Sequence, residues 1–250
     1  EELMQLDEEE TEEYEATVEA ANKAIRSNPK DTQAYYNRAV AQNNLANFED
    51  AIKDCDEVIR QKPEFAEAYG GRAFAKDKLG HTEAAIADYD EAIRRKSDYA
   101  EASFNRGLIK AQLEQYEAAI VDCNEAIRLN PEEGLFYFTR GFITATLAGE
   151  PDKDNIEIYE DVIADYDEAI RLEPDFMPAH FSRIATNATL DRGDAAQASI
   201  EEMLQLENPF TEIVNMEDRA GIFDMEDMED VEDIDTDLIE IIDTKNIEEK

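Results

Sequence analysis

Apolar residues recur every three or four positions along most of this chain, in blocks of about a dozen residues parted by short polar turns. Residues 100–133 show the pattern most fully. Ala100 to Leu113 is a run of strong helix formers without proline, which predicts one helix. In the next block Tyr116, Ala119, Ile120, Cys123, Ala126 and Ile127 fall on one side of a second helix. Only Glu114 and Gln115 lie between, so the two helices must run antiparallel, and Pro131 ends the second. The predicted element is a helical hairpin whose apolar stripes cannot be buried alone.

The pattern repeats. Arg38, Arg72, Arg106 and Arg140 are each 34 residues from the next, and Leu45, Leu79, Leu113 and Leu147 keep the same spacing. Ala51, Ala85 and Ala119 form a third column, and Ile59, Ile93 and Ile127 a fourth. Several columns in one phase mark stacked supersecondary units, each completing its neighbour's core. The expected class is all-α, an α-solenoid of antiparallel helical hairpins.

The unit resembles the tetratricopeptide repeat. Its length is the family's, with a small residue at Gly107 and Gly141 where the helices approach. Alanines such as Ala119 and Ala126 line the second helix, and Pro63, Pro131 and Pro174 follow it. Tyr35, Tyr69 and Tyr137 match the family's early aromatic, while Ser103 and His180 depart from it. The resemblance covers residues 10–207. It implies a right-handed superhelix whose concave face, built mostly by first helices, binds peptide segments of partner proteins.

In chain order, residues 1–31 read as an incomplete first repeat or cap, its missing first helix falling in the acidic residues 1–10. A solenoid over 32–209 follows, with repeats at 32–65, 66–99, 100–133, 134–176 and 177–209. The fourth carries an insertion near Gly149 and Pro151, with Asp152 or Asp154 as a possible N-cap and a lengthened second helix from about Asn155 to Leu172. Residues 210–221 read as a capping helix and 222–250 as an acidic amphipathic tail. For the tail three readings stand open: a solvating segment, a helix docked on the solenoid, or a motif for a basic partner.

Composition narrows the partners. The chain holds 63 acidic and 24 basic residues, a net charge of −39, with an ordinary 42% of hydrophobic residues. Such charge disfavours nucleic acid and anionic membranes and favours basic partners. No apolar run approaches the ~20 residues of a membrane span. Cys55 and Cys123 share one column two repeats apart, too far for a disulfide, and read as buried thiols. Reduced thiols fit a cytoplasmic setting. The chain opens on Glu1 rather than methionine, which leaves room for a preceding segment.

Each repeat pairs a first-helix arginine with a second-helix aspartate: Arg38 with Asp54, Arg72 with Asp88, Arg106 with Asp122, and Arg140 with Asp165. Equal distances from the turn place the partners side by side, as partly buried ion pairs bracing the hairpin; an arginine ladder for acidic ligands is the alternative. Asp56, Asp90 and Asp167 precede Arg60, Arg94 and Arg171 by four residues, a spacing for ion pairs along one helix. The residues for a peptide groove are Tyr36, Asn37, Val40, Asn43, Phe74, Phe104, Asn105, Leu108, Phe138, Phe142 and Phe181, unless they pack on neighbouring helices or lie under the tail. Family members that grip acidic chaperone C-termini use lysines and asparagines there. Tyr36, Val40 and Glu101 stand here instead, so that clamp is not expected.

No catalytic constellation, metal cluster or cofactor motif is read: His81 falls in a turn, and His180 has no companion at ligand spacing. Asp233, Asp235 and Asp237 lack the glycine and the bidentate glutamate of a calcium loop. The reading is a non-enzymatic adaptor or scaffold that binds a partner's peptide or helix in an apolar concave groove. The alternatives are an acidic chaperone for basic proteins and self-association through the groove or tail.

Overall fold

A computed structural model describes residues 8–151 and 155–206. Among them lie eleven helices and no strand. The chain divides into two units, Glu1–Pro131 and Glu132–Lys250. The expected capping helix at 210–221 and the tail at 222–250 lie outside the described residues, as does most of the acidic N-terminal stretch.

The first unit holds α1 (Glu8–Ser27), α2 (Thr32–Asn44), α3 (Phe48–Gln61), α4 (Ala66–Lys78), α5 (Thr82–Arg95), α6 (Ala100–Gln112) and α7 (Tyr116–Leu129). The pairs α2/α3, α4/α5 and α6/α7 are hairpins; α1 packs on α2, α3 on α4 and α5 on α6. The first helices also meet one another, α2 on α4 and α4 on α6. The helices of a hairpin approach closely because the facing positions are small. Ala39, Ala73, Ala51, Ala85 and Ala119 are all essentially buried. At Gly107 a Cβ would stand 3.1 Å from Asp122 Cβ and 3.3 Å from the Ala119 carbonyl oxygen. Cys55 and Cys123 are buried in the same column, and burial pushes the Cys55 thiol up to about 12.

Each hairpin turn of the first unit has one construction. Ala46, Gly80 and Glu114, 34 residues apart, all have positive φ, at 56°, 74° and 58°. The next amide reaches back to the helix: Asn47 N donates to Gln42 O, His81 N to Lys76 O and Gln115 N to Lys110 O, each at 2.8 Å. This is the Schellman C-cap. The leucine columns at 45, 79 and 113 are the C-cap residues themselves, and Leu113 is 41% exposed. These leucines close turns rather than fill the interior.

The second unit holds α8 (Gly134–Ala148), α9 (Ile156–Leu172), α10 (Met177–Thr189) and α11 (Gly193–Met203), with α8/α9 and α10/α11 as hairpins and α10 packed on α9. The lengthened helix starts at Ile156 with Asn155 in the N-cap position. Asn155 Nδ2 donates to the carbonyls of Ala148 and Glu150, tying the insertion back to α8. The core gathers Phe138, Val162, Tyr166, Ala169 and Phe176. His180, which departs from the tyrosine column, does that column's work: its Nε2 lies 2.9 Å from Pro174 O, as the Tyr69 hydroxyl lies 3.1 Å from Pro63 O. A carbonyl can only accept, so Nε2 carries the proton.

Two outcomes follow from these local geometries. Glu114 is exposed and sits in a conformation that costs an L-residue ~1–2 kcal/mol. Glu114→Gly should therefore raise stability in urea melts by about 0.5–1 kcal/mol after the greater chain entropy of glycine is counted; a fall would contradict this account of the turn. His180 is 1% exposed, and burial lowers its pKa. The unfolded state then binds the proton more readily, so stability is lost as pH falls through the unfolded value of about 6.5. His180→Tyr should remove that loss between about pH 7 and pH 5, and equal slopes for parent and variant would count against it.

Candidate functional site

Two surfaces arise from the first helices: an ionic seam, and an aromatic face in the first unit. The seam begins with the four arginines. Each makes a two-pronged contact to its hairpin partner. Arg38 Nε and Nη2 reach Asp54 at 2.7 and 2.6 Å, Arg72 reaches Asp88 at 2.8 and 2.6 Å, and Arg106 reaches Asp122 at 2.9 and 2.6 Å. In the second unit Arg140 Nε lies 2.9 Å from Asp165 Oδ2, and its Nη2 bonds Oδ1. The aspartate side chains are only 3–11% exposed. Three of the arginines also lie over the tyrosine three residues earlier: Arg38 over Tyr35, Arg72 over Tyr69 and Arg140 over Tyr137, at 5.4–5.6 Å.

The remaining guanidinium nitrogen reaches the other way. Arg72 Nη1 lies 2.5 Å from Asp56 and Arg106 Nη1 lies 2.6 Å from Asp90, both on the second helix of the preceding hairpin. Arg38 Nη1 bonds Asn22 of α1 in the same manner. In the second unit Arg183 Nη1 lies 2.8 Å from Asp167 of α9. The ion pairs expected along one helix from Asp56, Asp90 and Asp167 are thus corrected. Those carboxylates face the next hairpin, and Arg60, Arg94, Arg128 and Arg171 take Glu57, Glu91, Glu125 and Glu168, three residues earlier, at 2.5–2.7 Å. Arg60 and Gln61 together hold the Glu57 carboxyl down to about 2.

Two further members had no sequence signal beyond charge. Lys76 and Lys110, one turn after their arginines, each lie 2.7 Å from Asp88 and Asp122. Ser199 stands where the last repeat needs an aspartate, and Arg183 takes Glu202 instead, at 2.6 Å. That carboxylate lies three residues further along α11, almost one turn, so the same guanidinium can reach it.

The aromatic face is built by α2, α4 and α6. Tyr36, Val40 and Asn43 from α2, Gly70 and Phe74 from α4, Asn105 from α6, and Tyr89 and Tyr99 line an open cavity of about 260 Å³. Gly70 interrupts a column otherwise held by Tyr36, Phe104, Phe138 and Phe181. A Cβ there would stand 3.0 Å from the Tyr99 hydroxyl. Tyr36 meets Phe65 edge-on at 4.9 Å, which fixes its ring. Burial raises the hydroxyl pKa of Tyr36, Tyr89 and Tyr99, so all three stay neutral donors.

Some expected groove residues lie elsewhere. Phe104 and Phe138 are 6% and 0% exposed, and Phe138 packs against Tyr166 and Phe176. Both are interior residues, because helical spacing gives a side chain's direction and not its depth. Asn37 is exposed and accepts from Gln33, away from the cavity lining. Leu108 is half-buried outside the lining. Phe142 and Phe181 are half-buried in the second unit, Phe142 stacked on Phe138 at 6.3 Å and Phe181 against the cluster of Met177, Ile184, Ile200 and Met203. Sequence reasoning missed Glu67, Gly71, Tyr89 and Tyr99, three of which lie outside the chosen helix side. No cluster of metal-ligating side chains lies among the described residues, and no helix there is long and apolar enough to cross a membrane.

The seam makes a graded expectation. Asp122 is 3% exposed and holds two cations, while Asp90 is 58% exposed. Asp122→Ala should cost ~3–5 kcal/mol in chemical denaturation because it strands buried charge. Asp90→Ala should cost about 1 kcal/mol or less. Equal small losses would contradict the buried role of Asp122.

Comparison with known proteins agrees with this architecture. Tetratricopeptide repeat profiles match residues 66–99 and 100–133, the frames of α4/α5 and α6/α7. A third match, 20–53, is cut differently and runs from within α1 into α3. No curated protein matches the chain. Among solved structures, YrrB, described as a TPR protein with an unusual peptide-binding site, is 20% identical with a TM-score of 0.57, covering 74% of this chain and 91% of its own. MamA from Desulfovibrio magneticus RS-1 is 19% identical with a TM-score of 0.59, covering 72% and 97%. A thermophilic TPR protein in Thermus thermophilus is 20% identical with a TM-score of 0.54, covering 71% and 90%. With its frames matched to the family and its hairpins to the family's solved folds, the chain is a tetratricopeptide-repeat protein.

Proposed function

We propose that this chain is an interaction scaffold whose first unit binds a segment of a partner protein on the aromatic face of α2, α4 and α6. The repeats support an interaction scaffold in general terms. One observation carries the finer reading. Aromatic rings and amides from three successive first helices converge on a side-chain-sized cavity of about 260 Å³, the mix of apolar wall and few polar handles that recognition sites use. The seam's arginines each have their own acids, which leaves the aromatic face as the binding candidate. YrrB, with the same fold, is described as having a peptide-binding site, which is consistent with this use of the hairpins.

The net charge of −39 favours a second reading, a chaperone that holds basic proteins by charge alone. Salt separates the two. Peptides selected from a random displayed library against the full chain should keep their affinity between about 0.1 M and 1 M salt, where the screening length shrinks from ~10 to ~3 Å. They should lose about tenfold or more to Val40→Glu, a change at an exposed rim position of the cavity. Binding that collapses with salt and ignores Val40→Glu would overturn the groove and leave the charge-driven reading.

A further inference from the structure

The seam lacks a member in the first hairpin. In the second and third hairpins a lysine one turn beyond the arginine joins the aspartate: Lys76 Nζ lies 2.7 Å from Asp88 Oδ2, and Lys110 Nζ lies 2.7 Å from Asp122 Oδ2. Gln42 holds that column in the first hairpin, 34 residues before Lys76. Among the described residues Asp54 accepts from Arg38 alone, and the Gln42 side chain makes no hydrogen bond. At this place α1, α2 and α3 leave a cavity of about 550 Å³, whose lining includes Glu15, Arg38, Gln42, Asp50, Lys53 and Asp54. It lies on the opposite side of α2 from the aromatic face and shares no lining residue with it.

The later hairpins show which chemistry fits. In both, the aspartate Oδ2 takes the arginine Nε and the lysine Nζ at once. Asp54 Oδ2 takes Arg38 Nε in the same manner, at 2.7 Å, and keeps acceptor capacity for a second donor. Depth is no bar. The Asp54 side chain is 5% exposed, and Asp122, at 3%, still holds a lysine that runs in from the surface. Charge points the same way, since three acids and two bases line the cavity. An ammonium is a compact point charge on a long stem and suits a single acceptor, whereas a guanidinium fork would lie against that of Arg38. We propose that this cavity is a subsite for a lysine side chain of a basic partner, whose ammonium bonds Asp54 Oδ2 and supplies from outside the contact that Lys76 and Lys110 make within the chain. The Gln42 side chain, held by no hydrogen bond, turns aside to admit it. The strongly acidic chain draws such a partner in. The subsite is independent of binding on the aromatic face.

The test is an amide NMR titration of the full chain with a short blocked glycine–serine peptide carrying one central lysine. Matched peptides carry acetyl-lysine or arginine in its place. The lysine peptide should shift the amides of Gln42, Asn47 and Asp54. Acetyl-lysine, which keeps the stem and loses the charge, should bind about tenfold more weakly. Arginine should also bind more weakly than lysine. Gln42→Lys copies a residue that the next two hairpins carry, so it keeps the fold. It should set a lysine of the chain itself on Asp54, abolish the shifts at Asn47 and Asp54, and raise the urea midpoint. Gln33→Lys, which adds the same charge at an exposed position of α2 outside the cavity, should leave the titration unchanged. Equal binding of acetyl-lysine, tighter binding of arginine, or shifts that survive Gln42→Lys would overturn the lysine subsite, as would no shift at these amides with any of the three peptides.

Discussion

A guanidinium held between two carboxyl- or amide-bearing helices is the contact on which the rest of the first unit depends. Hydrophobic stripes bring any two helices together, but they slide easily, because alanine and leucine faces fit in more than one register. Arg72 and Arg106 remove that freedom. Each bonds an aspartate of its own hairpin and an aspartate of the hairpin before. One side chain therefore sets both the pairing inside a repeat and the step to the next. The buried partner carries the larger energetic consequence, and the exposed partner adds direction.

The seam also frees the other side of the first helices. The arginines and the lysines one turn later point to the second helices, so the face of α2, α4 and α6 is left to Tyr36, Val40, Phe74 and a few amides. Gly70, where the column carries a ring elsewhere, instead lets the Tyr99 ring approach α4 closely. The seam and the cavity are consequences of one helix having two committed sides.

The hairpins were legible because their period is fixed and their turns are short. Arg106 and Asp122 lie within one residue of equally far from Glu114–Gln115, and antiparallel geometry brings them together. Depth was not legible: Phe104 and Phe138 share a helix side with Tyr36, yet both are interior, because neighbouring helices and not spacing decide what covers a ring. The role of Asp90 was misread for a related reason. A spacing of four along α5 suggests Arg94, but Glu91 is better placed for Arg94, and the carboxylate of Asp90 reaches Arg106 only once hairpins are stacked. Glu202 shows the same limit, since its service to Arg183 is invisible to a column that expects an acid at Ser199.

The claim that one arginine joins successive repeats is tested most directly by native-state hydrogen exchange of Arg106→Met. If Arg106 links α5 to α7 through α6, protection should fall in both α5 and α7, on either side of the substituted helix. Loss confined to α6 and α7, with α5 unchanged, would contradict it and reduce the seam to a brace within each hairpin.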